Sequence, residues 1–241
     1  MHPDKQKHKL RISQRRIRMF PKKLSEGYLS FINGRFSNER SRYETLASSG
    51  QKPEIMVISC VDSRVSPEVI FDASPGELLV VRNVANLVPG YESGSDSQHG
   101  TSAALEFGVL ALKVRHIIVL GHESCGGIRA FADESKPLSA SDFIGNWMSQ
   151  IAPAAESIEK SEGLDLTAFL RRLELASVEL SLKNLMTFPF VAAAVARGDT
   201  ALHGAYFGIR NGQLLIHNPD TGAFEPPSGM PERVSPFYCS P

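Results

Sequence analysis

The chain has 241 residues and a mass of 26.3 kDa, a length that suits one domain with additions better than two complete ones. Its 42% of hydrophobic and 22% of charged residues, with 26 bases against 26 acids, exclude a disordered, collagenous or coiled-coil chain and give no general pull towards nucleic acid or a membrane. Three cysteines, Cys60, Cys125 and Cys239, are too few for a secreted disulfide framework; they point to a reducing, cytoplasmic setting in which each thiol is a chemical suspect.

Residues 5–23 carry nine lysines and arginines and no acid, yet lack the continuous apolar core of a signal sequence, so residues 1–20 read as a basic arm. No run approaches the roughly 18 apolar residues of a membrane span. After Pro21, Leu24, Tyr28 and Phe31 fall on one helical face, and Asn33-Gly34 is expected to end that helix. Residues 38–47 suit a second helix, closed by a loop at Ser48, Ser49 and Gly50.

Residues 54–60 form a short apolar run after a proline, as in a strand buried on both faces. Residues 78–81 and 116–121 are two more such runs. Between these two, residues 101–114 are apolar almost all round, which predicts a helix buried against a sheet. Strand, crossover helix and strand imply parallel pairing. Residues 141–160 and 166–186 read as longer helices, the second with Leu166, Phe169, Leu170, Leu173 and Leu180 on a common side. Residues 201–210 and 213–217, joined at Asn211-Gly212, resemble a hairpin. The expected fold is α/β: a mainly parallel central sheet flanked by helices in one domain, residues 21–241, with an extended helical arm before it.

Ligands of open parallel sheets bind beyond the carboxyl ends of the strands. Cys60 ends the first strand there, and His122 and Cys125 follow the third. If a helix starts after Gly121, an i, i+3 spacing turns His122 and Cys125 the same way. Two thiolates and an imidazole suit tetrahedral zinc with a fourth position left open. Because 62 positions separate Cys60 from His122, such a site assembles only when two strands pair, which favours a catalytic site over a local staple. Two buried, inert thiols are the competing reading. Asp62 can reach a metal or pair with the fork of Arg64, and a plain ion pair at the strand end is the alternative.

These residues resemble the beta-class carbonic anhydrases. The family's C-x-D-S-R motif appears as Cys60, Asp62, Ser63 and Arg64, its R-N-x-A-N segment as Arg82, Asn83, Ala85 and Asn86, and its G-H-x-x-C-G as Gly121, His122, Cys125 and Gly126. Weaker resemblance runs through Pro75-Gly76-Glu77, His99-Gly100-Thr101, Thr187-Phe188-Pro189 and Leu202-His203-Gly204-Ala205-Tyr206, covering most of residues 28–224. The resemblance implies a zinc enzyme with Cys60, His122 and Cys125 as metal ligands. It further implies reversible hydration of carbon dioxide to bicarbonate by zinc-held hydroxide, with Asp62 and Arg64 orienting that nucleophile. Gln51 would donate to a substrate oxygen, and Leu79, Val84 and Phe107 would line the carbon dioxide pocket. A homodimer or tetramer follows from the same likeness, without nucleic-acid or membrane partners.

Hydrolysis of carbon disulfide or carbonyl sulfide is a related alternative, and a zinc scaffold without turnover is a more distant one. A cysteine phosphatase is weaker still, because its phosphate cradle needs five residues between cysteine and arginine and Cys60 to Arg64 has three. Cys239, near the end, reads as a free thiol.

Overall fold

Three short runs rich in Val, Ile and Leu pair as neighbouring strands, since a strand apolar on both sides needs cover on both faces. In the computed structural model, which describes residues 20–92, 99–132, 142–159 and 164–228, β1 is Ile55–Cys60, β2 is Leu78–Asn83 and β3 is His116–His122. β4 (Ala201–Phe207) extends the parallel set, whereas β5 (Leu214–His217) and the short β6 (Phe224–Glu225) turn back antiparallel. The sheet order is β2-β1-β3-β4-β5-β6. This is the mainly parallel sheet expected from the sequence, with the expected hairpin as the β4 and β5 pair.

The strand order places a switch point at β1, which has β2 on one side and β3 on the other. Loops leave β1 in one direction and β3 in the other, so a crevice opens beyond the carboxyl ends of these two strands. Alternate side chains divide between the faces. Met56, Ile58, Ile117 and Val119 join a core with Leu105, Val178, Leu185 and Val191, while Val57 and Leu120 enter a smaller cluster with Ala205.

The chain forms two compact units, residues 1–51 and 52–241. In the first, α1 (Lys22–Phe31) runs through a π-helical turn (Ile32–Phe36) into α2 (Ser37–Ser49), which Gly50 ends at φ 78°. Asn33 and Gly34 therefore do not end the helix. The π turn absorbs them, and Phe31, Phe36 and Tyr43, with ring centroids 5.1 to 6.2 Å apart, pack across it. None of the residues in these three segments is buried. Most of the basic arm, residues 1–19, and Cys239 lie outside the described residues.

In the second unit, α3 (Pro67–Ile70) follows β1, and α4 (Gly100–Glu106), extended by a π-helical stretch (Phe107–Leu112), crosses over to β3. That crossover is not buried all round as its composition suggested. Thr101, Leu105, Gly108 and Val109 face the core, but Phe107 and Leu110 are 49% and 54% exposed. α5 (Gly126–Ala132) follows β3. The single helix expected over residues 141–160 is broken into α6 (Asp142–Met148), a 3-10 turn (Ser149–Ile151) and α7 (Ala152–Glu159), with Pro153 in the first turn of α7, where its missing N–H costs nothing.

α8 (Leu166–Leu185) fills the expected range, although Leu166 is exposed. Its buried stripe lies directly on β3: a Cβ added at Gly121 would come within 2.6 Å of Val178 Cγ2, so only glycine permits this approach. α9 (Pro189–Ala196) completes that face. Among the described residues, no single helix is long and apolar enough to cross a membrane.

Candidate metal centre

Cys60 is the last residue of β1 and His122 the last of β3, so parallel pairing delivers both to one edge. No helix starts after Gly121. His122 still pairs with Phe207, and the Glu123 N–H donates to the Phe207 carbonyl at 2.9 Å, which keeps the chain extended. Ser124, at φ 57°, then reverses the backbone and brings Cys125 back under the strand end. A tight turn thus does what an i, i+3 spacing was expected to do.

Cys60, His122 and Cys125 are all buried, and one ligand atom from each lies within 4.8 Å of the other two. The two sulfurs are 4.0 Å apart and both thiols are free. Two zinc–sulfur bonds of about 2.3 Å at a near-tetrahedral angle span roughly 3.8 to 4.0 Å, so this spacing fits one ion. The His122 Nδ1–H donates to the Glu123 carbonyl at 2.9 Å, which leaves Nε2 as the lone-pair nitrogen. Nε2 is buried without a hydrogen-bond partner among the described residues, an orphan that a metal would satisfy.

Backbone geometry supports thiolates at both positions. N–H groups of Asp62 and Ala85 reach the Cys60 sulfur, and those of Gly127 and Ile128 reach Cys125. The hydrogen bond with Cys125 holds the Cys60 thiol down at about 4 against the opposing effect of burial. The same bond, together with burial, pushes Cys125 far up. The metal-free pair therefore keeps one proton, and a divalent cation is what lets both sulfurs ionise.

Ala85 reaches Cys60 because it sits at φ 62° in a turn that the Asn83 side chain clamps, accepting from Leu87 N–H at 2.9 Å and donating to its carbonyl at 2.8 Å. A Cβ at Gly127 would lie 2.8 Å from Val84 Cγ1, so glycine there lets α5 start against this turn. Arg82 donates to the carbonyls of Cys60 and Asp62 at 2.9 and 2.6 Å. Arg64 grips Asp62 with its fork, Nε to Oδ1 at 2.9 Å and Nη2 to Oδ2 at 2.7 Å, while its backbone N–H adds a third bond to Oδ1 at 3.0 Å. Nη2 also donates to the Ser124 carbonyl at 3.1 Å. Arg64 holds the Asp62 carboxyl well below the usual carboxylate range, so it is ionised at neutral pH.

A family model described as carbonic anhydrase matches residues 55–214. The chain belongs to the beta carbonic anhydrase family. It is 36% identical to beta carbonic anhydrase 3 of Arabidopsis thaliana over 82% of this chain and 77% of that protein. With the chloroplastic beta carbonic anhydrase 5 of the same plant it shares 37% identity over 77% of its length, and it spans only 61% of that protein. The solved structure of the beta carbonic anhydrase CcaA superposes with a TM-score of 0.79 and 31% identity, covering 86% of this chain and 92% of that one. Cys60, His122 and Cys125 form the zinc site of the family.

The other residues singled out in the sequence lie on several elements. Val84 packs against the apolar cluster that contains Cys60 and Cys125, and its carbonyl accepts from Trp147 Nε1–H at 2.7 Å. Leu79 pairs with Met56, four residues before Cys60, and belongs to the core under α4. Phe107 is half exposed at the start of the π-helical stretch after α4, and Gln51 is exposed at the end of the first unit.

One residue at the site went unnoticed in the sequence. Glu174 on α8 accepts from the Cys125 N–H at 3.1 Å and from the Tyr206 hydroxyl at 2.5 Å. Burial pushes its carboxyl up. The signal was available: a carboxylate at helical spacing among Leu170, Leu173, Ser177 and Val178 sits on the stripe that must face the core.

Proposed function

We propose that the protein catalyses the reversible hydration of carbon dioxide to bicarbonate and a proton, with Asp62 and Arg64 as its orienting dyad. The observation that carries this reading is the Asp62 carboxylate next to the Cys-His-Cys set, with both oxygens engaged by Arg64. Zinc bound there would lower the pKa of a water from about 15.7 towards the neutral range, though less than a zinc held by three neutral histidines, because two thiolates already neutralise its charge.

The chain's own residues do the rest. A carboxylate kept ionised by a guanidinium can only accept a hydrogen bond, so Asp62 turns the lone pair of the attacking oxygen away from itself and towards the carbon of carbon dioxide. Arg64, tied at its far side to the Ser124 carbonyl, would keep Asp62 from becoming a fourth zinc ligand. Val84 offers an apolar wall to a linear, uncharged substrate, and Leu79 and Phe107 complete the proposed lining. Stopped-flow measurement of carbon dioxide hydration by the purified protein tests the reading. A rate enhancement above buffer that falls by about 100-fold in Asp62→Asn supports it, and a zinc-loaded protein with no enhancement would refute it.

Self-association belongs to the same proposal. Phe20, Leu24, Tyr28 and Leu29 are between 55% and 69% exposed, an apolar run that one chain leaves in water. Light scattering at micromolar concentration should report a dimer or tetramer, whereas an active monomer would contradict this. A reducing, cytoplasmic setting is part of the same proposal, supported by a sequence whose three cysteines form no secreted disulfide framework.

A further inference from the structure

A carboxylate that touches the metal centre without joining its donor set needs a reason to be there, because burying a charge is costly unless it is fully hydrogen-bonded. Glu174 is 5% exposed and stands on the face of α8 that crosses β3 over Gly121, the residue before the ligand His122. Its two oxygens have separate tasks. Oε1 accepts from the Cys125 N–H, which lies between the end of β3 and the start of α5 and is used by neither ladder nor helix. Oε2 accepts from the hydroxyl of Tyr206, a fully buried residue of β4 whose backbone pairs with Gly121. The Arg171 guanidinium, one turn earlier on α8, stacks 3.8 Å from the centroid of the Tyr206 ring and holds that anchor in place.

The Cys125 amide also follows Ser124, a non-glycine residue in the left-handed region, a conformation that persists only when its surroundings hold it. We infer that Glu174 is a positioning residue of the metal centre: through the Cys125 backbone amide, and braced by Tyr206, it fixes the turn that aims the Cys125 sulfur at the ion, and so sets zinc affinity and ligand geometry. This rests on the zinc reading of the Cys60, His122 and Cys125 set. A carboxylate suits the task because two donors converge on it. Glutamine can replace it, since its carbonyl oxygen can take the amide N–H while its NH2 donates to the Tyr206 oxygen, which accepts as well as donates. Alanine can do neither.

The test uses the full-length protein and two readouts other than activity: zinc affinity by competition with a chromophoric chelator, and the sulfur-to-cobalt charge-transfer band of the cobalt(II)-substituted form. Partners of metal ligands typically contribute about 10- to 100-fold in metal affinity, so Glu174→Ala should weaken zinc by that factor and shift the cobalt band, while Glu174→Gln stays within roughly threefold of the parent. A merely structural role would not move the cobalt band. Wild-type affinity and an unmoved band in Glu174→Ala would overturn the inference, as would a Glu174→Gln variant as impaired as the alanine one. Should Glu174→Ala fail to fold, Tyr206→Phe removes the brace alone; a weakened, band-shifted protein is expected, and an unchanged band would count against the inference. A parent protein that binds no zinc would overturn the zinc reading itself.

Discussion

Changing Cys125 to serine should remove zinc and carbon dioxide hydration together. The thiolate is one of three protein ligands, and even partners that only touch a ligand are worth about 10- to 100-fold, so loss of the ligand itself should weaken zinc by more than about 100-fold. Serine is a poor substitute for two reasons. Its hydroxyl does not ionise near neutral pH, and its shorter bond draws the oxygen back from a position where the sulfurs are 4.0 Å apart. The fold should survive, because serine is close to cysteine in size and can still accept from the Gly127 and Ile128 N–H groups that reach the Cys125 sulfur. Elemental analysis and circular dichroism check both halves; full zinc occupancy in the variant would remove Cys125 from the ligand set.

Changing Asp62 to asparagine should separate binding from turnover. Zinc should stay, since the Cys60, His122 and Cys125 donors form a group without a carboxylate. Turnover should fall by about 100-fold, the cost of misorienting a reacting group. Asparagine keeps the shape but loses the charge that Arg64 grips, and its NH2 would face the guanidinium and turn the side chain over. That places a donor where an acceptor is needed. Retained zinc with unchanged turnover would show that Asp62 serves only its ion pair with Arg64.

Much of this site could be read in the sequence because its chemistry sits on the most legible elements. β1 and β3 are short apolar runs that end in Cys60 and His122, and an ion-binding residue at the end of a buried strand stands out against Val, Ile and Leu. The turn at Ser124 could not be read that way. A left-handed serine leaves no pattern in the sequence, and the i, i+3 spacing of His122 and Cys125 fits a helix equally well. Asn33-Gly34 is an ordinary stop signal, overridden here by aromatic packing across a π turn. α9, with alanine and valine on every side, has no polar face to mark its period. Glu174 was hidden for a different reason: its importance depends on α8 crossing over Gly121, a tertiary fact that helical spacing alone does not carry.

Metal removal and reconstitution test the central claim most directly. Protein stripped with a chelator and titrated with zinc should regain carbon dioxide hydration in proportion to bound metal, reaching its full rate at one zinc per chain, because the three donors form a single set. Full hydration activity in the metal-free protein, or none with one zinc bound per chain, would contradict it.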